Sequence, residues 1–210
     1  MTSLNTLGCL QIKANGKAKL SKIVATFTFI IMNSENLKEI WIKGDTLYGN
    51  FYSYIREELK NLGLSKKTIE FLVQVGFPSD AAPFLAFDDR FRTVTDIYTF
   101  LDSSFKPLIH IGSDGEGSPI VINTAKNDQI ELLDHEYEFA PLFINSSIED
   151  FFYFLLYYRD FVTAVNLKNE HAFLNSDYSA EDILPLKNKM EKRNSYDSST
   201  GFWKREVDGL

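Results

Sequence analysis

Apolar positions follow two different periods along this chain. From Ser34 the spacing is helical: Leu37, Ile40 and Trp41 recur at i, i+3, i+4, and Gly44 stops the run. A second helix is predicted over 51–62, with Phe51, Ile55, Leu59 and Leu62 on one face and Gly63 at its end. A third opens on a Ser65 cap and runs through Ile69, Phe71, Leu72 and Val75 to Gly76. Gly76-Phe77-Pro78 then breaks the helix and forces an extended exit.

Residues 84–134 change to a strand pattern. Phe84–Phe87 is short and apolar, and Phe91–Leu101 has β-branched and aromatic content interrupted by Asp96. Leu108–Ile111 and Pro119–Asn123 flank the turn GSDGEGS, and a segment from Gln129 closes on Asp134. Short turns between successive strands predict antiparallel pairing. After a short loop, Asn145-Ser146-Ser147 opens the strongest helix. Ser146 and Glu149 have capping-box spacing, and Phe151, Phe152, Leu155, Tyr158 and Val162 form a broad apolar face. Residues 180–193 predict another helix around Pro185, and Phe202 and Trp203 predict a tail that docks on the body. The expected fold is α+β: an antiparallel sheet of about five strands flanked by N-terminal and C-terminal helices, in one domain over 32–210.

Residues 1–31 read differently. They hold Lys13, Lys17, Lys19 and Lys22 and no acid, and they lead into the apolar run Ile23–Met32. A secretory signal needs a small-residue cleavage site after its apolar core, and NSENLKEI follows instead. Met32 offers an alternative start. The expectation is an extension that packs poorly and stands outside the fold core.

Composition narrows the class. The chain has 210 residues, 44% hydrophobic, with 18 Phe and 10 Tyr, enough for a substantial core. A single cysteine, Cys9, forbids an internal disulfide and favours a reducing, cytoplasmic setting. No apolar run is long enough to suggest a membrane span. The net charge is -7, and residues 80–150 hold 14 acidic against 4 basic residues, a net of -10. That field repels nucleic-acid phosphates and attracts cationic partners.

The chemistry is sparse. GSDGEG places Asp114 and Glu116 where a phosphate loop would need a lysine, and a strand follows rather than a helix, so the glycines read as turn residues. Asp134, His135 and Glu136 are neighbours whose side chains diverge along a strand, and no HExxH spacing exists. Asp88 and Asp89 would serve a glycosidase only with partners across a cleft, which the sequence does not indicate. No GxSxG elbow is present. The expectation is a binder without cofactor or metal, not an enzyme. The acidic residues offered for partner binding are Asp114, Glu116, Asp128, Glu131, Asp134, Glu136 and Glu138. The exposed tyrosines of the 151–158 helix are a fallback.

The order of motifs resembles a known family. Trp41 lies on the first helix, and a later helix ends in Gly76-Phe77-Pro78. Next come the turn Ile111–Gly117, with Gly112, Gly115 and Gly117, a VIN strand, and an LLD strand closing on Asp134. FINSS, with Asn145 and Ser146, leads to the aromatic helix carrying Phe152. Over roughly residues 37–167 this is similar to the SUKH immunity-protein superfamily, which takes in bacterial toxin-immunity proteins and fungal cell-wall synthesis regulators. The resemblance implies an α+β fold and a non-enzymatic role: binding and neutralising a cognate toxin, commonly a nuclease. It implies structural roles for the motif residues and transfers no toxin-contacting residue. A regulatory scaffold of the cell-wall-regulator type, or a small-ligand binder, remains the alternative.

Overall fold

The computed structural model describes residues 36–44, 50–193 and 201–210. The expectations for residues 1–31 and Met32 lie outside them.

Among the described residues the first helix, α1 (Leu37–Gly44), buries Leu37 and Trp41. Strand β1 (Phe51–Tyr52) pairs antiparallel with β2 (Phe77–Pro78). Between them lie α2 (Arg56–Leu59), continued by a 3-10 turn to Leu62, and α3 (Lys66–Gln74). The predicted helix over 51–62 is therefore shorter. Phe51 and Tyr52 join a strand pair, and Ile55 points outward, 58% exposed. The i, i+4 spacing of Phe51, Ile55 and Leu59 fits a helix, but cross-strand pairing with the extended Gly76-Phe77-Pro78 exit prevails.

Among the described residues the main sheet has six antiparallel strands in a simple meander. These are β3 (Asp80–Ala81), β4 (Leu85–Thr93), β5 (Leu108–Ser113), β6 (Pro119–Asn123), β7 (Gln129–Asp134) and β8 (Ala140–Asn145). Two strand expectations need correction. The segments 84–87 and 91–101 are not separate strands. One strand runs to Thr93, whose hydroxyl then accepts from the Asp96 amide and starts α4 (Val94–Ile97). Asp96, out of place in a strand, is at home in the first turn of a helix. The loop expected before Asn145 is β8, whose Pro141 sits at an edge where a missing N–H is tolerated.

Helix α5 (Ile148–Asn166) lies on one face of the sheet. Its buried side chains include Phe151, Phe152, Phe154, Leu155 and Val162, which meet Ile109, Ile111, Ile120, Ile122, Ile130 and Leu132 from the sheet. A helix apolar nearly all round must be covered all round. Helices α1, α3, α6 (Ala180–Glu191) and α7 (Phe202–Asp208) share its cluster. Trp203 docks as expected, 2% exposed, its indole N–H donating to Asn145 Oδ1 at 2.8 Å. The opposite face of the sheet carries a smaller cluster of Val94, Leu108, Val121 and Leu133, roofed by Tyr98, Leu101, Phe105 and Phe139.

The cap of α5 is Ser147, not Ser146. Ser147 Oγ accepts from the Asp150 amide at 3.1 Å, while Glu149 pairs with Lys67 at 3.1 Å on the surface. Ser147→Ala is expected to cost about 1 kcal/mol, and Ser146→Ala a few tenths. Paired thermal melts of the two variants check the assignment.

Candidate functional site

Antiparallel meanders gather alternate turns at one end. Here the 82–84 turn, the 114–118 turn and the 135–139 turn share an end, because Ala86 pairs with Ser113, Ser113 with Pro119 and Asp134 with Ala140. Asp114 organises its turn: its Oδ1 accepts from the Glu116 amide at 3.0 Å and the Ser118 amide at 2.8 Å. Asp134 does the same for the next one, accepting from the Glu136 amide at 3.1 Å, after which Glu138 adopts a left-handed φ of 56°. Ser118 Oγ and His135 Nδ1, 2.8 Å apart, join the two turns. Glu116, Glu136 and Glu138 are exposed, and Asp114 and Asp134 are half-buried because they hold the backbone. Five of the seven predicted partner residues thus sit on two linked turns.

The other two do not. Asp128 is buried in the β6–β7 turn at the opposite end, where its Oδ2 accepts from the Ser65 amide at 2.8 Å and the Thr68 hydroxyl at 2.6 Å. It staples the start of α3 to the sheet. Glu131 is also buried, on the second face of the sheet, and accepts from Asn123, Lys126 and Gln129 at 2.8, 2.8 and 2.7 Å. It borders a cavity of about 250 Å³ with Phe105, Leu108 and Phe139. Three donors already hold this carboxylate, so its role is internal. Neither residue presents a surface to a partner. Of the fallback tyrosines, Tyr153 and Tyr158 are 6% and 1% exposed and belong to the core, while Tyr157 is partly buried against it.

The motif residues occupy structural places. Trp41 packs on Phe152 with ring centroids 5.6 Å apart. Gly112 lies where an added Cβ would be 2.2 Å from the Ala86 carbonyl, and Gly117 takes a φ of +91° to close its turn. Pro78 pairs with Phe51, and Asn145 receives Trp203.

Three features escaped the sequence. Glu206 on α7 joins the acidic end: burial pushes its carboxyl upward, Arg205 opposes this, and Asp114 and Glu116 add to the rise. Phe84, at the neighbouring turn, is 64% exposed. A cleft of about 750 Å³ brings Glu57 and Glu58 beside Asp88, Asp89 and Asp96. Arg90 lies 3.9 Å from Glu58 there, and His110 Nδ1 lies 2.8 Å from Asp88 Oδ2. The Tyr54 hydroxyl donates to the Asp88 carbonyl at 2.8 Å, and its phenol is pushed up by burial first and then by Asp88, Tyr52 and Asp89.

Among the described residues no group of three His, Cys, Asp or Glu side chains could hold a metal ion, and no helix is long and apolar enough to cross a membrane. No protein-family model, curated protein or solved structure matches the chain.

Proposed function

We propose that this is an immunity-type binder of the SUKH kind, which neutralises a cationic toxin domain, such as a nuclease, by direct contact in the cytoplasm. One observation carries the reading: Asp114, Glu116, Asp134, Glu136 and Glu138 stand on two turns that are held together at one end of a rigid sheet. A rigid display of like charges raises the rate at which a cationic partner is captured. Asp114 and Asp134 spend their carboxylates on turn amides, so Glu116, Glu136 and Glu138 are left to meet the partner. The order of motifs along the chain supports the same reading. A host-partner scaffold would use the same surface, and the identity of the protein captured separates the two.

Reversing Glu136 and Glu138 to lysine tests the surface. Association with the C-terminal domain of the protein encoded beside this chain is expected to slow by about tenfold at low salt, with a flatter salt dependence and an unchanged melt. Stopped-flow rates across a salt series check this. An unchanged rate at low salt means the charges only solubilise the chain.

A further inference from the structure

We propose that Phe84 anchors a docking surface for an arginine-bearing segment of the partner, a proposal that rests on the cationic-partner reading above and gives it a contact point. Phe84 is unusual twice over. It is exposed, and its φ of 64° lies in the left-handed region that disfavours a side chain with a Cβ. Such a conformation costs about 1–2 kcal/mol and persists only where neighbours impose it. The 114–118 turn lies against it: a Cβ added at Gly115 would stand 3.1 Å from the Phe84 Cβ. The glycine-rich turn therefore fits against this phenylalanine and leaves its ring outside.

The ring stands where three clefts of about 480, 520 and 350 Å³ meet. One flank is apolar, with the Phe173 ring centroid 6.2 Å away and Leu174 64% exposed. The other flank, the cleft of about 520 Å³, is acidic: Asp114, Glu116 and Glu206 line it against Arg205, while Asp80 and His171 line the apolar side. Arg205 lies 3.8 Å from Glu206, and no described cation forms an ion pair with Asp114 or Glu116. Burial pushes the Glu206 carboxyl upward, Arg205 opposes this, and Asp114 and Glu116 add to the rise.

An exposed aromatic face beside carboxylates that outnumber the nearby bases selects among cations. A guanidinium is planar, weakly hydrated, stacks on rings and bonds carboxylates through two N–H groups at once. An ammonium is a strongly hydrated point charge that gains less from the ring. An aliphatic side chain next to the arginine fits the apolar flank at Leu174. An aromatic anchor ringed by polar groups is the common anatomy of an interface hot spot.

The probe is a capped arginine-leucine-arginine peptide, with a lysine-glycine-lysine peptide of equal charge as control, titrated into the ¹⁵N-labelled full chain. Amide shifts are expected to concentrate at Phe84, Gly115 and Glu206, to be at least fivefold weaker with the lysine peptide, and to vanish in Phe84→Gly. That variant should melt at the same temperature or higher, because glycine takes a positive φ without strain. Phe84→Asn, which also tolerates this φ, is the second variant. Equal response to both peptides overturns the proposal, as do shifts centred on the Glu57 and Asp89 cleft, shifts that survive both substitutions, or no localised shift at millimolar peptide. Glu136→Lys with Glu138→Lys should leave the peptide response in place. A wild-type chain that binds the peptide but protects no cells defeats the toxin reading alone. A chain that protects while its Phe84 variants behave as wild type defeats the anchor alone.

Discussion

Phe152→Ala is expected to lower stability by roughly 3–5 kcal/mol, the usual cost of emptying a buried phenylalanine site. Phe152 has no exposed surface and is the meeting point of four elements. Its ring centroid lies 5.6 Å from Trp41 on α1, 6.3 Å from Phe51 on β1, 5.8 Å from Phe71 on α3 and 5.6 Å from Phe77 on β2. Each aromatic pair adds about 0.5–1.5 kcal/mol beyond area burial. Large rings from four elements cannot all move inward, so the cavity stays. Urea melts check the value, with Tyr137→Ala, 70% exposed, as a control that should change stability by about 0.5 kcal/mol or less. A loss below about 1 kcal/mol for Phe152→Ala would place the centre of the core elsewhere.

Gly76→Ala is expected to be comparably harmful for a different reason. Gly76 has a φ of +83°, and a Cβ there would stand 2.1 Å from the Tyr52 carbonyl oxygen. The left-handed conformation alone costs about 1–2 kcal/mol with a side chain present. The collision adds to it, because the atom struck is backbone in β1, and moving it breaks the pairing of Tyr52 with Phe77. Gly117→Ala separates the two terms. Gly117 has a φ of +91° with nothing within 4 Å of the added Cβ, so only the conformational cost applies. Denaturation midpoints should rank wild type above Gly117→Ala above Gly76→Ala. Equal losses would mean that the close approach of β1 to Gly76 is not what demands glycine.

Local patterning carried much of the architecture. The short apolar runs Pro119–Asn123 and Gln129–Asp134, bounded by turn residues, mark two strands; Ile120, Ile122, Ile130 and Leu132 join the cluster of α5, and Val121 and Leu133 are buried on the other face. Phe151, Phe152, Leu155, Tyr158 and Val162 mark an apolar helix face, which the structure extends to nearly the whole circumference, and Phe202 and Trp203 mark the docking tail. Failures arose where one specific contact, local or distant, outweighed the pattern. Thr93 ends β4 through a cap that competes with strand propensity. Ala140–Asn145 becomes a strand because β7 offers it an edge, although Pro141 argues for a loop.

The site was half legible for the same reason. Acidity located the turns around Asp114, Glu116, Asp134, Glu136 and Glu138, but hydrophilicity does not report burial. Asp128 and Glu131 are drawn inside by donors: the Ser65 amide and Thr68 hydroxyl for one, Asn123, Lys126 and Gln129 for the other. The second face that buries Glu131 is roofed by Tyr98, Leu101 and Phe105, and periodicity within β7 cannot show that roof. Phe84 reads as a core residue from its neighbours in the chain. Its left-handed φ of 64° and its 64% exposure are visible only in the structure.

Survival of cells making the C-terminal domain of the protein encoded next to this chain tests the central claim most directly. Co-expression of the wild-type chain should restore growth, and the chain with Glu136 and Glu138 reversed to lysine should lose most of that protection while still folding. No rescue by the wild-type chain, or full rescue by the reversed one, would contradict the account.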